Sequence, residues 1–284
     1  MEHGELIKKL RTDRRITRRE LSAGVHSIST LQRFENDTAR IDIDTIWQYL
    51  ERMNIQIDDY YLEYYNYQLS KKEHLRKNFR SAIISEYHAK EYLDNLQEEY
   101  KKSKDVFFLY LIVQIKAVAE KLPNYQLGKI DENESKKILD YLSRIEEWGY
   151  FELAMYTNCL GVFKKEYRLF QYKDVLNQFR KFKGIPKYQH ALIKFIINSI
   201  ILEFSEKNYD RILDLLGILY DETKDSDYLK GRIYWKFFFR LYQSVVGDFE
   251  FDGSITIEML RLLGYEEEAE NFLDIERTIL NDNT

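Results

Sequence analysis

The stretch from Ser27 to Arg33, Ser-Ile-Ser-Thr-Leu-Gln-Arg, sets short hydroxyl side chains and then an amide and a guanidinium within about two helical turns. Those residue types suit the edges of base pairs. A helix lying in a DNA major groove needs small side chains where it approaches the backbone, and Gln or Arg where it reads bases. Gln pairs with adenine and Arg with guanine, each such pair giving roughly 1–3 kcal/mol of discrimination. Ser29, Thr30, Gln32 and Arg33 are therefore the candidate base-reading residues. Arg14, Arg15 and Arg18 lie just upstream, where cations would meet phosphates and add affinity without adding sequence preference.

No comparable case exists for catalysis. The five histidines, His3, His26, His74, His88 and His190, include no H-E-x-x-H pair. His74 and His88 would lie roughly 21 Å apart on a continuous helix, too far to share a metal ion. There is no G-x-S-x-G elbow, Walker loop or dinucleotide fingerprint, and acidic runs such as Gln-Glu-Glu-Tyr at 97–100 read as solvated helix faces. The expectation is a protein that is not an enzyme and carries no metal or cofactor. Cys159, the single cysteine, cannot form an internal disulfide or a cysteine zinc site and reads as a buried thiol.

The elements that must position the base-reading residues are themselves legible. Leu6, Ile7 and Leu10, then Ile16, Leu21 and Val25, then Ile28, Leu31 and Phe34 fall at helical spacing, giving three short amphipathic helices. Thr17 and Glu20 form a capping-box signature at the start of the second, and Gly24 supplies the left-handed residue that stops it. Ser27 is the natural N-cap of the third, with Ile28, Leu31 and Phe34 turned inward and the polar set turned outward. A fourth helix comes next, with Asp44 as its expected N-cap. Two helices joined by a tight glycine turn make a helix-turn-helix. In helix-turn-helix domains of this kind an arginine on the first helix commonly pairs with a glutamate closing the third, so the resemblance to that fold makes Arg11 and Glu35 an expected structural ion pair; His26 reads as a neutral surface histidine in preference to a phosphate contact.

Charge agrees with this placement. The net charge of the 284-residue chain is −5, yet residues 1–40 hold nine basic and six acidic groups, so the basic end is the one with the candidate DNA contacts. Two prolines and eleven glycines, with abundant Leu, Ile, Lys, Glu and Tyr, predict an almost wholly helical protein. No apolar run is long enough to span a bilayer, and the charged start MEHGELIKKLR does not read as a signal peptide, so a cytoplasmic protein is expected.

Beyond residue 66 the periodicity predicts helices over roughly 71–85, 88–102, 105–121, 133–147, 150–164, 167–182, 187–206, 209–223, 227–246, 255–263 and 266–280. Asp131 and Glu134 form a second capping-box signature, and Pro186 sits where a helix can begin. Several breaks share a small or polar turn, then Tyr, then a new amphipathic helix, which suggests degenerate helical hairpins of about 35 to 45 residues. Stacked hairpins curve and offer a concave surface.

The segment GELIKKLRTDRRITRRELSAG, together with STLQRFENDTARIDIDTIWQYLERMNI, resembles the XRE-type, lambda-repressor-like helix-turn-helix domain. Taken with the helical hairpins beyond residue 66, the chain resembles the Rgg/GadR/MutR family of Gram-positive transcription regulators. One departure is visible. The turn Gly24-Val25-His26-Ser27 is one residue longer than the commonest repressor pattern, which leaves the base-contact register open by one residue.

The resemblance implies an all-α fold: a helix-turn-helix domain with a linker helix over residues 1–66, then a right-handed superhelix of tetratricopeptide-like hairpins over 67–284. It also implies a homodimer that binds double-stranded promoter DNA and a short hydrophobic signalling peptide of the pheromone type, with RNA polymerase as a further partner and no membrane association. Asn side chains can meet the unpaired backbone groups of an extended peptide, and aromatic walls can take its side chains. Candidate peptide contacts are Asn158, Asn198, Tyr234, Trp235, Phe238 and Arg240. The competing reading makes the helical hairpins a protein-interaction scaffold, with a helix-turn-helix that serves assembly instead of sequence reading.

Overall fold

The computed structural model describes residues 2–122, 124–247 and 250–281. Those residues are helical with no strand among them, and the chain divides into two compact units, one ending at Ser81 and the other beginning at Ala82.

The first unit contains α1 (His3–Asp13), α2 (Arg18–Ser22), α3 (Ile28–Glu35), α4 (Ile43–Arg52) and α5 (Ile57–Tyr64), with α6 (Lys71–Ala82) reaching the boundary. Local signals set the ends of these helices. Thr17 and Glu20 make the expected capping box on α2, and the Ser27 hydroxyl accepts the Thr30 amide at 3.1 Å to start α3. Gly24 has φ +69°, the left-handed conformation that reverses the chain between them. Leu6, Ile7, Leu10, Leu21, Leu31, Phe34, Ile46 and Tyr49 form one buried core. α1 meets the end of α3 very closely: a Cβ built on Gly4 would lie 1.9 Å from the Phe34 carbonyl oxygen.

Two sequence expectations fail in this unit. The N-cap of α4 is Asp42, whose carboxylate accepts the Thr45 amide at 2.7 Å, while Asp44 lies in the first turn. Both aspartates suit a helix start, but only Asp42 stands three residues before the buried Thr45. Ile28 does not face inward and is 48% exposed. It is the first residue after the N-cap, so its side chain projects from the end of the helix while Leu31 and Phe34 enter the core.

The second unit comprises α7 (Glu86–Ser103), α8 (Val106–Ala119), α9 (Glu132–Arg144), α10 (Tyr150–Asn158), α11 (Lys165–Lys181), α12 (Pro186–Ser205), α13 (Tyr209–Glu222), α14 (Leu229–Val246), α15 (Ser254–Leu262) and α16 (Glu266–Asn281). Neighbours α7 and α8, α12 and α13, α13 and α14, and α15 and α16 pack as antiparallel hairpins, and α10 lies against α12. α8 is buried from Phe107 through Val113 and again at Ile115, which explains its nearly continuous apolar sequence. Its Lys116 reaches both carboxylate oxygens of Glu134 at 2.8 and 2.9 Å, joining it to α9. The Asp131 and Glu134 capping box and the helix start at Pro186 stand as expected. The helix expected over 150–164 instead stops at Asn158, and Leu160–Val162 makes a single 3-10 turn around Gly161. None of the described helices is long and apolar enough to cross a membrane.

Candidate DNA interface and inner helix row

On α3, the side chains of Ser29, Gln32 and Arg33 are exposed and share one face, being three and four residues apart. Thr30 is half-buried, and its hydroxyl and that of Ser29 each lie 2.8 Å from the Ser27 hydroxyl. Part of the small-residue set therefore builds the helix start. Among the described residues, neither the Gln32 nor the Arg33 side chain has a hydrogen-bond partner.

Behind this face lies an ion cluster. Glu35 is 1% exposed. Its Oε1 accepts from Arg11 Nε at 2.6 Å, and its Oε2 accepts from Arg11 Nη2 at 3.1 Å and from Arg18 Nε at 2.6 Å. Arg11 Nη1 also donates to the Ile16 carbonyl at 2.8 Å. The Arg11 and Glu35 pair was legible in the sequence, but the engagement of Arg18 was not. Arg18 Nε fastens α2 to the end of α3, while its side chain remains 32% exposed. Arg14 and Arg15 are exposed, Arg14 Nη1 donates to the Leu10 carbonyl at 3.2 Å, and Arg15 adopts φ +56° at the end of α1.

In the second unit, the alternate helices α8, α10 and α12 are stitched by polar side chains. Asn158 at the end of α10 donates from Nδ2 to the Tyr110 hydroxyl of α8 at 2.5 Å, and its Oδ1 accepts from Lys194 Nζ of α12 at 2.7 Å. Asn198, one turn beyond Lys194, donates from Nδ2 to the Thr157 carbonyl at 3.1 Å. Both asparagines are half-buried and Lys194 is exposed, so the row has an open side.

A family model for the C-terminal domain of the HTH-type transcriptional regulator Rgg matches residues 90–273, and a helix-turn-helix model matches residues 7–60. The chain belongs to the Rgg family. Its members are transcription regulators and not enzymes. Solved structures share the fold over nearly the whole chain. One, described as a transcriptional regulator from Listeria monocytogenes EGD-e, is 18% identical with a TM-score of 0.80, the match covering 98% of this chain and 97% of that one. The SHP pheromone receptor Rgg2 of Streptococcus dysgalactiae is 16% identical with a TM-score of 0.71, over 97% of this chain and 99% of that one. PrgX in complex with iCF10 is 13% identical with a TM-score of 0.66, over 97% of this chain and 95% of that one.

In this Rgg family chain, two of the aromatic candidates are buried in the core and do not face an open surface. Phe238 is fully buried, facing Phe204 of α12 and Phe237. Tyr234 is 8% exposed; it packs on Phe272 at 4.4 Å, and its hydroxyl donates to Glu268 at 2.7 Å, both on α16. Trp235 is half-buried and turns toward α13, meeting Tyr220 at 4.9 Å with the Arg232 guanidinium beside it. Arg240 is half-buried; the hydroxyl and then the amide of Ser254 lower the pKa of the Asp252 carboxyl, and the Arg240 charge adds a smaller lowering. Tyr110 and Lys194 were missed. The available signal was on α12, where Lys194 and Asn198 stand four residues apart and hence on one face.

Proposed function

We propose that the chain is a peptide-gated transcription regulator. In this reading residues 1–66 bind promoter DNA, with α3 in the major groove. Ser29, Thr30, Gln32 and Arg33 meet base edges, and Arg14, Arg15 and the outer part of Arg18 meet phosphates. Residues 67–284 pair as a homodimer and take a short hydrophobic signalling peptide along the α8, α10 and α12 row, where Asn158 and Asn198 are the backbone-binding candidates. The observation that carries the reading is the pair Gln32 and Arg33: exposed donors without partners among the described residues, on a helix whose opposite side is held by the core and the Glu35 cluster.

A dimer suits this arrangement because one eight-residue helix reads few bases. Two-fold pairing would set half-sites about 34–36 Å apart or at a multiple of that spacing. The peptide acts through its different affinity for two arrangements of the dimer, switching promoter output of the quorum-sensing type, with RNA polymerase as the downstream partner. A gel shift with the chain's own upstream promoter DNA at two salt concentrations should show specific binding that weakens as salt rises. Equal competition by an unrelated duplex would overturn the DNA-reading half and favour the scaffold alternative. Titration with short peptides encoded beside the gene, following binding and promoter output together, tests the other half. Absence of saturable peptide binding would overturn it.

A further inference from the structure

The turn between α2 and α3 is tied down at one residue. His26 is half-buried, and its Nε2 lies 3.1 Å from the Thr45 hydroxyl of α4. Thr45 is 4% exposed, and its amide is already held by the Asp42 carboxylate that caps α4. The amide and hydroxyl of Thr45 keep the Asp42 carboxyl below the usual carboxylate range, and the His26 ring adds to that effect. A polar chain therefore runs from the turn through Thr45 to the start of α4. On the near side, His26 donates its backbone amide to the Ser22 carbonyl at 3.0 Å, which fixes it to the end of α2. The next residue, Ser27, is the N-cap from which α3 starts.

We infer that His26 is a positioning residue that sets the register of α3 by pinning the turn to Thr45, so that Ser29, Gln32 and Arg33 present a fixed face to the bases. This rests on the reading of α3 as the recognition helix. An α-helix advances about 1.5 Å and turns about 100° per residue, so a slip of one residue in the turn would exchange Gln32 and Arg33 for different neighbours at the groove. Apolar packing of Leu31 and Phe34 opposes that slip but acts only on the far side of the helix. The hydrogen bond at His26 acts at the other end, where α3 begins. The role differs from a phosphate contact, which would add affinity equally on every sequence.

The test measures binding of the full chain to its upstream promoter and to duplexes carrying single-base changes, at several salt concentrations, for wild type, His26→Ala, Thr45→Val and His26→Gln. Circular dichroism melts confirm that each variant is folded. If His26 sets the register, His26→Ala and Thr45→Val both reduce the preference for the promoter over its single-base variants by about tenfold, comparable to losing one base-reading pair. The salt slope stays unchanged, and His26→Gln, which keeps a donor, restores preference. A lower salt slope with preference intact in His26→Ala would make His26 a phosphate contact and overturn the inference. Unchanged preference in both His26→Ala and Thr45→Val would overturn it as well. Failure of the wild type itself to prefer its promoter would instead remove the DNA-reading function on which it rests.

Discussion

Replacing Glu35 by Gln should unfold the first unit more readily while leaving the second unit alone. The Glu35 side chain is fully buried, and the Arg11 side chain beside it is 9% exposed. Removing one member of a buried ion pair costs about 3–5 kcal/mol, because the remaining charge stays desolvated without its counter-ion. Two features moderate this. The Gln carbonyl can still accept one hydrogen bond, and Arg11 keeps the Ile16 carbonyl at 2.8 Å. Arg18, being 32% exposed, can turn to water. The expected loss is therefore near the lower end, about 3 kcal/mol.

In a unit of this size each kcal/mol moves the melting temperature by about 4–8 °C, so a fall of roughly 12–24 °C is expected. Hydrogen exchange followed by mass spectrometry reads the two units separately, and only peptides before residue 82 should lose protection. The double variant Arg11→Met with Glu35→Leu, which removes the stranded charge, should recover most of the loss. A shift below about 3 °C in Glu35→Gln, or a double variant no more stable than the single one, would refute the argument that a desolvated charge is the source of the cost.

Three further outcomes rest on particular contacts. Gly4→Ala puts a methyl group 1.9 Å from the Phe34 carbonyl oxygen, a backbone atom that cannot swing away. Urea denaturation should show a loss of about 3 kcal/mol or more. Phe238→Ala, at a fully buried site, should cost about 3–5 kcal/mol in the second unit, whereas weakened peptide affinity at unchanged stability would return Phe238 to the binding surface. Burial, followed by the charge of Asp252, raises the Glu276 carboxyl pKa. A folded-state pKa above the unfolded one means that ionisation is resisted in the native state. Stability from this group is therefore present at low pH and lost as pH rises through the raised value. Glu276→Gln should melt higher than wild type at pH 7 and match it below about pH 4, and a difference that persists at low pH would assign the effect to packing.

What the sequence revealed and what it withheld divide along chain distance. The cap at Ser27, the box at Thr17 and Glu20, the turn at Gly24, the box at Asp131 and Glu134 and the start at Pro186 depend on residues within a few positions of one another, and all stand as expected. Ile28 was misassigned because spacing alone cannot tell a side chain that enters the core from one that projects off the helix end. The Asn158 partners, Tyr110 and Lys194, lie 48 and 36 residues away, beyond any local pattern. The run Tyr-Trp-Lys-Phe-Phe-Phe on α14 carried aromatics on every side because that helix is flanked on more than one side. Tyr234 and Phe237 meet α16, Phe238 meets α12, and Trp235 meets α13. Periodicity could not say which of these sides was open.

The least expected engagement, that of Arg18, has a physical reason in the shortness of α2. The helix has five residues, and its only buried members are Leu21 and Ser22. One buried leucine contributes about 1.5–3 kcal/mol, and that attraction has no preferred direction. Directional contacts supply what packing lacks. The Thr17 and Glu20 box fixes the start of α2, Arg18 joins its first turn to Glu35, and Arg52 of α4 donates to the Leu21 carbonyl at 2.8 Å near its end. With both ends of α2 held, the turn that follows it leads into α3 from a fixed point, and the contact of His26 with Thr45 holds that turn against α4.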